Sequence, residues 1–207
     1  PRRCCRTLTM FSTDLGEVTR NVIIHLVDMQ VIFQGYSSQS LNGHYGLDTA
    51  SASLPPIPRP LANPAFRTVM SALEASSVPN TPAAGSPIES IRKTIVEDLG
   101  VDPSVVTDAD CLAVARVSEI VGTRGCRLSA CALAAVVRQT GGDKSEEMVR
   151  FGLDGSLVEF YPRFESRIRD ALKEMLGSEV EKRIEIGLAK DGSGVGGELL
   201  RALGVGG

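Results

Sequence analysis

Histidine is scarce in this sequence, with only His25 and His44 present. Neither a histidine metal cluster nor a Ser-His-Asp triad has the material it needs. His25 falls in a helical pattern and is expected to be structural. The five cysteines, at positions 4, 5, 111, 126 and 131, form no Cys-x-x-Cys pair and are odd in number. That spacing argues against both a zinc site and a disulfide framework, and Cys111, Cys126 and Cys131 are expected to be small buried packing residues. No charge of one sign dominates: 22 basic and 25 acidic residues are mixed along the chain, for a net charge of −3. No electrostatic footprint for nucleic acid or a membrane surface is present, so neither is an expected partner. No uninterrupted run of eighteen apolar residues occurs, and Pro1-Arg-Arg-Cys-Cys-Arg6 lacks the apolar stretch of a signal peptide. The expected location is therefore cytosolic.

What is there is a chain of 207 residues with 43% hydrophobic content, enough to build a core. Residues 14–30 carry Leu15, Val18, Val22, Leu26 and Met29 at helical spacing, with Asp14 suited to cap the start. Residues 50–84 hold seven of the eleven prolines, so regular structure is expected to fail across much of that stretch. Order resumes at Ser86-Pro87-Ile88-Glu89, a capping box with proline at the first helical position, and runs to Leu99 before Gly100 stops it. Residues 109–123 and 128–139 read as two apolar helices whose small side chains favour close packing. Met148 to Leu153, then Asp154-Gly155, then Ser156 to Tyr161 is a β-hairpin signal, since Asp-Gly tolerates the positive φ of a tight turn. Residues 163–176 form an amphipathic helix pattern, and residues 183–188 a strand.

That last strand feeds Lys190-Asp-Gly-Ser-Gly-Val-Gly-Gly197, followed by the amphipathic Glu198 to Leu203. A glycine-rich turn between strand and helix lets backbone approach a ligand closely and offers helix N–H groups that have no internal partner. A nucleotide suits such a turn. The dinucleotide fingerprint is incomplete, because no acidic residue stands about 20 positions beyond Gly197. A Walker-type phosphate loop also fails, for want of a Lys-Ser/Thr pair after the glycines. Read from this segment alone, a tight turn leading into a C-terminal amphipathic helix is the preferred reading.

Four separated stretches, in one chain order, resemble the C-terminal portion of the eukaryotic hexokinase and glucokinase family, of fungal type. Leu15-Gly-Glu-Val-Thr-Arg-Asn-Val-Ile-Ile24 is similar to that family's helix after the sugar site, and Leu41-Asn42 with Tyr45, Asp48 and Thr49 to the loop that follows. Phe151-Gly-Leu-Asp-Gly-Ser-Leu157 resembles its strand-turn-strand motif, and Asp191-Gly-Ser-Gly-Val-Gly196 the glycine turn that contacts adenosine. The resemblance implies an α/β fold: part of the large lobe of the actin-like ATPase fold, helix-rich with a short mixed sheet. It implies ATP with Mg²⁺ as cofactors and a hexose as substrate, with phosphoryl transfer to the sugar 6-hydroxyl in glycolysis. Carried over residue by residue, it places Thr49, Ser71, Gly192, Ser193, Gly194 and Gly196 at ATP. Ser71 matches better than Ser53. Residues 1–9 look unrelated or disordered, 10–49 begin the lobe, 50–68 read as a proline-rich, disordered insertion, and 69–207 complete it.

The departures bear on function. Phosphoryl transfer needs a positioned carboxylate for the hydroxyl proton, a phosphate-binding turn and a metal-holding site. The family's catalytic aspartate, its Asp-x-Gly-Gly-Thr-Asn phosphate loop and its sugar-binding segments have no match here. No catalytic, sugar-binding or metal-binding residue is assigned, and the isolated chain is expected to be inactive. Two other readings stay open: a non-catalytic nucleotide-binding or regulatory module, and a partner-binding protein with an apolar face. Glu17 is expected only to complement the helix dipole. The cluster Asp143, Lys144, Glu146 and Glu147 reads as a solvated loop, and Glu165, Arg167, Arg169 and Asp170 as a helix's wet face.

Overall fold

The computed structural model describes residues 12–43, 87–153, 158, 161 and 163–188. Helix α1 (Ser12–Asp28) and the short α2 (Gln39–Asn42) come first, then α3 (Pro87–Glu97) and the long α4 (Asp108–Thr140). Strand β1 (Val149–Leu153), α5 (Phe164–Leu176), α6 (Ser178–Glu181) and β2 (Ile184–Leu188) follow. Asp14 is the third residue of α1, not its cap, because the helix already begins at Ser12. The buried face of α1 also differs from the expected stripe. Leu15, Thr19, Arg20, Ile23 and Val27 face inward, whereas Val18, Val22 and Met29 are exposed. α1 carries more apolar residues than one face holds, so spacing alone could not choose between two stripes offset by one residue, about 100° of rotation.

Residues 109–123 and 128–139, expected as two helices, belong to one continuous helix of 33 residues, about 50 Å long. Its start is fixed by a reciprocal capping box: Asp110 N–H donates to Thr107 Oγ1 (3.2 Å), and Thr107 N–H to Asp110 Oδ2 (2.8 Å). Gly141 ends it in the left-handed conformation, φ 77°. Gly122 and Gly125, which suggest a break, are buried within it. Glycine inside a helix costs about 0.5–1 kcal/mol relative to alanine, and at Gly122 the missing Cβ makes room for the Tyr161 ring. α4 passes a length and composition test for a membrane span, with mean hydropathy 1.4 over its most apolar window. Its buried apolar residues serve both halves of the core, while Leu112, Ile120 and Leu128 are exposed.

Two core clusters lie along α4. The first gathers Ile23, Val27, Ile32, Phe33, Leu41, Ile91, Ile95, Leu99, Val101, Cys111 and Val114. The second joins the C-terminal half of α4 to α5 and β2 through Cys126, Ala130, Ala134, Val137, Ile168, Leu172 and Ile184. Ala130, Ala134 and Val137 let α5 approach closely, and α4 with α5 is the most extensive helix contact. α3 ends at Glu97, short of the expected Leu99, and Gly100 follows in the left-handed region with φ 65°. Its predicted capping serine, Ser86, lies outside the described residues.

The pairing of β1 among the described residues is not that of the expected hairpin. β1 pairs in parallel with β2, in the register Val149↔Ile184 through Leu153↔Leu188. Val158 is helical and Tyr161 lies in a bend, so neither continues a second strand. Among the described residues the sheet is thus wholly parallel. The crossover between its strands is made by α5 and α6, as a parallel pair requires a connection of a dozen or more residues.

Candidate nucleotide site

Parallel pairing puts the carboxyl ends of β1 and β2 at the same edge of the sheet. Leu153 is followed directly by Asp154-Gly155, and Leu188 stands four residues before Gly192. Both turns singled out by the sequence therefore leave the sheet from one end. In open α/β sheets, ligands bind at the carboxyl ends of the strands. Thr49, Ser71, Gly192, Ser193, Gly194 and Gly196 themselves lie outside the described residues. What can be described is how their neighbours are held.

β2 is fixed at its start by two arginines. Arg169 donates to Glu165 (2.9 Å) and Glu181 (2.9 Å), and to the Ile184 carbonyl (3.3 Å), joining α5, α6 and the strand. Those carboxylates hold its guanidinium charged, Glu181 foremost. Arg183 donates to the carbonyls of Gly142, Ser145 and Glu147, gathering the loop that leads into β1. The two strands thus begin from a common anchor. Within that loop Lys144, Glu146 and Glu147 are exposed, while Asp143 Oδ1 is buried with no hydrogen-bond partner among the described residues. Arg167 of α5 lies 5.8 Å from the centroid of the Tyr161 ring.

The segment around Leu41 is held just as firmly. Arg20 is 3% exposed, and its Nε donates to Glu17 Oε2 at 2.7 Å, with a second bond to Oε1 completing a bidentate pair. The Glu17 side chain therefore does more than complement the dipole: its hydrogen bonds raise the Arg20 pKa and keep a buried guanidinium charged. Arg20 Nη1 donates to the Leu41 carbonyl at 2.6 Å. Leu41 N–H donates to Ser38 Oγ at 3.1 Å, and Ser38 Oγ donates in turn to the Leu99 carbonyl. Leu41 is fully buried, and Thr49 stands eight residues beyond it. Sequence reading missed Arg20 and Ser38 as positioning residues. The available signal was a charged residue inside the stripe Leu15, Thr19, Ile23 and Val27.

Among the described residues, no group of three His, Cys, Asp or Glu side chains is gathered as a metal would require. Cys111 and Cys126 are buried, and burial pushes the Cys126 thiol up to about 11. Cys131, expected to be buried, is exposed on α4, with Sγ 3.7 Å from Met175 Sδ. Its place in an apolar run concealed that it faces outward. His25 is also exposed, on α1.

A helix-rich lobe with a short sheet fits the large lobe of actin-like ATPases. A Schistosoma mansoni hexokinase, solved in complex with glucose, shares this fold with a TM-score of 0.68 at 24% identity, over 91% of this chain and 35% of that one. The hexokinase family's sequence model matches residues 10–203, and the chain belongs to that family. Aspergillus niger glucokinase is 40% identical over 135 residues, which are 64% of this chain and 26% of the relative. Schizosaccharomyces pombe hexokinase-1 is 29% identical over 189 residues, 91% of this chain and 32% of the relative. The chain therefore spans between about a quarter and a third of the length of these curated relatives.

Proposed function

We propose that this chain is the nucleotide-side portion of an ATP-dependent hexose kinase, and that alone it holds ATP weakly without turning over sugar. The supporting observation is the parallel β1–β2 pair, whose shared carboxyl end leads to Gly192, Ser193 and Gly194. Bound there, ATP would supply the phosphoryl group, with Mg²⁺ accompanying its phosphates. This chain's residues would position the adenosine end: Gly192 to Gly196 by close backbone approach, Thr49 and Ser71 by their hydroxyls. Arg183 and Arg169 anchor the starts of β1 and β2, and Arg20 holds Leu41, eight residues before Thr49.

The sequence offers no Asp-x-Gly-Gly-Thr-Asn stretch and no assigned general base. Loss of a general base alone removes about 10² to 10⁴ in rate, before the phosphate loop and sugar pocket are counted. The whole family activity on this reading is phosphorylation of glucose at the 6-hydroxyl in the cytoplasm. The test is a coupled assay of glucose 6-phosphate formation by the purified chain with ATP and Mg²⁺. The expected rate equals that of the protein-free control, and turnover above that control contradicts the proposal.

A further inference from the structure

Cys131 of α4 and Met175 of α5 bring two sulfur atoms together, with Sγ and Sδ 3.7 Å apart. The residues stand 44 positions apart in the chain, so the pair is a product of the α4–α5 packing. Both backbones are tied beside it. Arg138 Nη2 donates to the Met175 carbonyl at 2.8 Å, and Arg127, one turn before Cys131, forms an ion pair with Glu174. Thiol and thioether therefore meet on two packed helices, a support that holds ligand geometry better than a loop does.

Burial does not account for this cysteine. Cys111 and Cys126 are buried, whereas Cys131 is exposed, so its contact with Met175 hides little apolar surface. The chemistry of the pair is more specific. A thiolate and a thioether are both soft ligands, which favour ions such as Cu(I) over Mg²⁺, Ca²⁺ or Mn²⁺. With metal–sulfur bonds of about 2.3 Å, the sulfurs as they stand subtend about 107° at a shared ion. That angle is near tetrahedral, and the open side of Cys131 leaves room for water or a small thiol to complete the shell. Methionine is unbranched and adaptable, so the pair can also widen for an ion that prefers a more open angle.

We propose that Cys131 and Met175 form a two-sulfur site for a soft monovalent metal ion of the Cu(I) class. On binding, the Cys131 thiol gives its proton to solvent as the metal–thiolate bond forms. The Met175 sulfur donates a lone pair, and no electron is transferred. The site is independent of the nucleotide reading, and its test is made without ATP.

The test is an anaerobic titration of Cu(I) against a chromophoric Cu(I) chelator. The full chain carries Cys4→Ser and Cys5→Ser, because those adjacent thiols would compete. One equivalent of Cu(I) is expected to bind. Met175→Leu, a swap that nearly conserves volume, should weaken binding by about tenfold or more, since even the outer partners of a metal site are worth that much. Cys131→Ser should abolish it, and Met148→Leu, at another exposed methionine, should leave it unchanged. Circular dichroism verifies that each variant keeps its helices. X-ray absorption of the loaded parent, expected to find two sulfur neighbours at the metal, decides the matter should Met175→Leu lose them. Four results overturn the inference: no Cu(I) retained, retention unchanged by Met175→Leu, retention that survives Cys131→Ser, or a single sulfur neighbour at the metal.

Discussion

Replacing Gly122 with alanine sets two opposing effects against each other in the middle of α4. Alanine is the better helix former by about 0.8–1.0 kcal/mol, so in an open helix the substitution would stabilise. Here the new Cβ would overlap Tyr161 Oη outright and come within 2.7 Å of Cζ and 3.3 Å of Cε1. The ring has little freedom to retreat. Tyr161 is 6% exposed, meets Phe164 edge-on with ring centroids 6.4 Å apart, and lies under the Arg167 guanidinium. Overpacking of a filled core costs about 1–3 kcal/mol, and an overlap this severe belongs at the upper end. The net expectation is a loss of about 1–2 kcal/mol, or about 2–8 °C in Tm for a chain of this size. Thermal and urea melts followed by circular dichroism read it. The chain has no tryptophan and three tyrosines, so tyrosine emission also reports directly on displacement of that ring. In the Tyr161→Ala background, Gly122→Ala should cost nothing further, because the clash is gone. A G122A protein as stable as the parent, or more so, would refute the placement of Tyr161 against α4.

Three further outcomes are expected. Arg20→Met should destabilise the chain by about 2–4 kcal/mol, below the range for a fully buried pair because Glu17 keeps some water; Arg20→Lys should recover little of this, since an ammonium cannot make the bidentate pair. A urea titration placing R20K within about 0.5 kcal/mol of the parent, the scale of an ordinary surface change, would contradict the clamp described for Leu41. Cys131 should react with iodoacetamide in the folded protein while Cys111 and Cys126 stay protected, and peptide mapping that finds Cys126 labelled first would be inconsistent with the fold. Burial raises the Cys126 pKa from 9.0 to about 11, so the fold favours the neutral thiol. That contribution, on the order of 2–3 kcal/mol, is fully present below pH 9 and is lost as pH rises towards 11. The stability difference between the parent and Cys126→Ala should shrink across that window and stay flat from pH 6 to 8.

Local chemistry was legible where it acts within a turn or two of helix. Gly100 marks the stop after α3, and residues 163–176 announced α5 to within one residue of its start, because helix-ending and amphipathic signals need no distant partner. β2 was equally clear from its apolar alternation. What failed needed information from elsewhere in the chain. Asp154-Gly155 is a good hairpin turn in isolation, but each residue of β1 pairs with one 35 positions further along the chain, and no local rule selects that pairing. Gly122 and Gly125 look like a break in a helix; they persist inside α4 because tertiary packing overrides a propensity deficit of about 1 kcal/mol each. On α1 the apolar residues outnumber one face, so the buried stripe was settled by what α4 and α2 offered it. Of the candidate nucleotide site, the turns were visible in the sequence as motifs, while the arginine anchors of the neighbouring strands were not. Arg20, Arg169 and Arg183 act through carbonyls and carboxylates brought together only by folding.

On the proposed function, Gly192 to Gly196 carry a nucleotide half-site. Calorimetric titration of ATP with Mg²⁺ into the full chain, with a melt on the same sample to show that it folds, tests this most directly. The expected result is a cooperative melt and Mg²⁺-dependent binding near millimolar Kd, corresponding to about 4 kcal/mol. A chain that melts cooperatively yet takes up no ATP would contradict the claim.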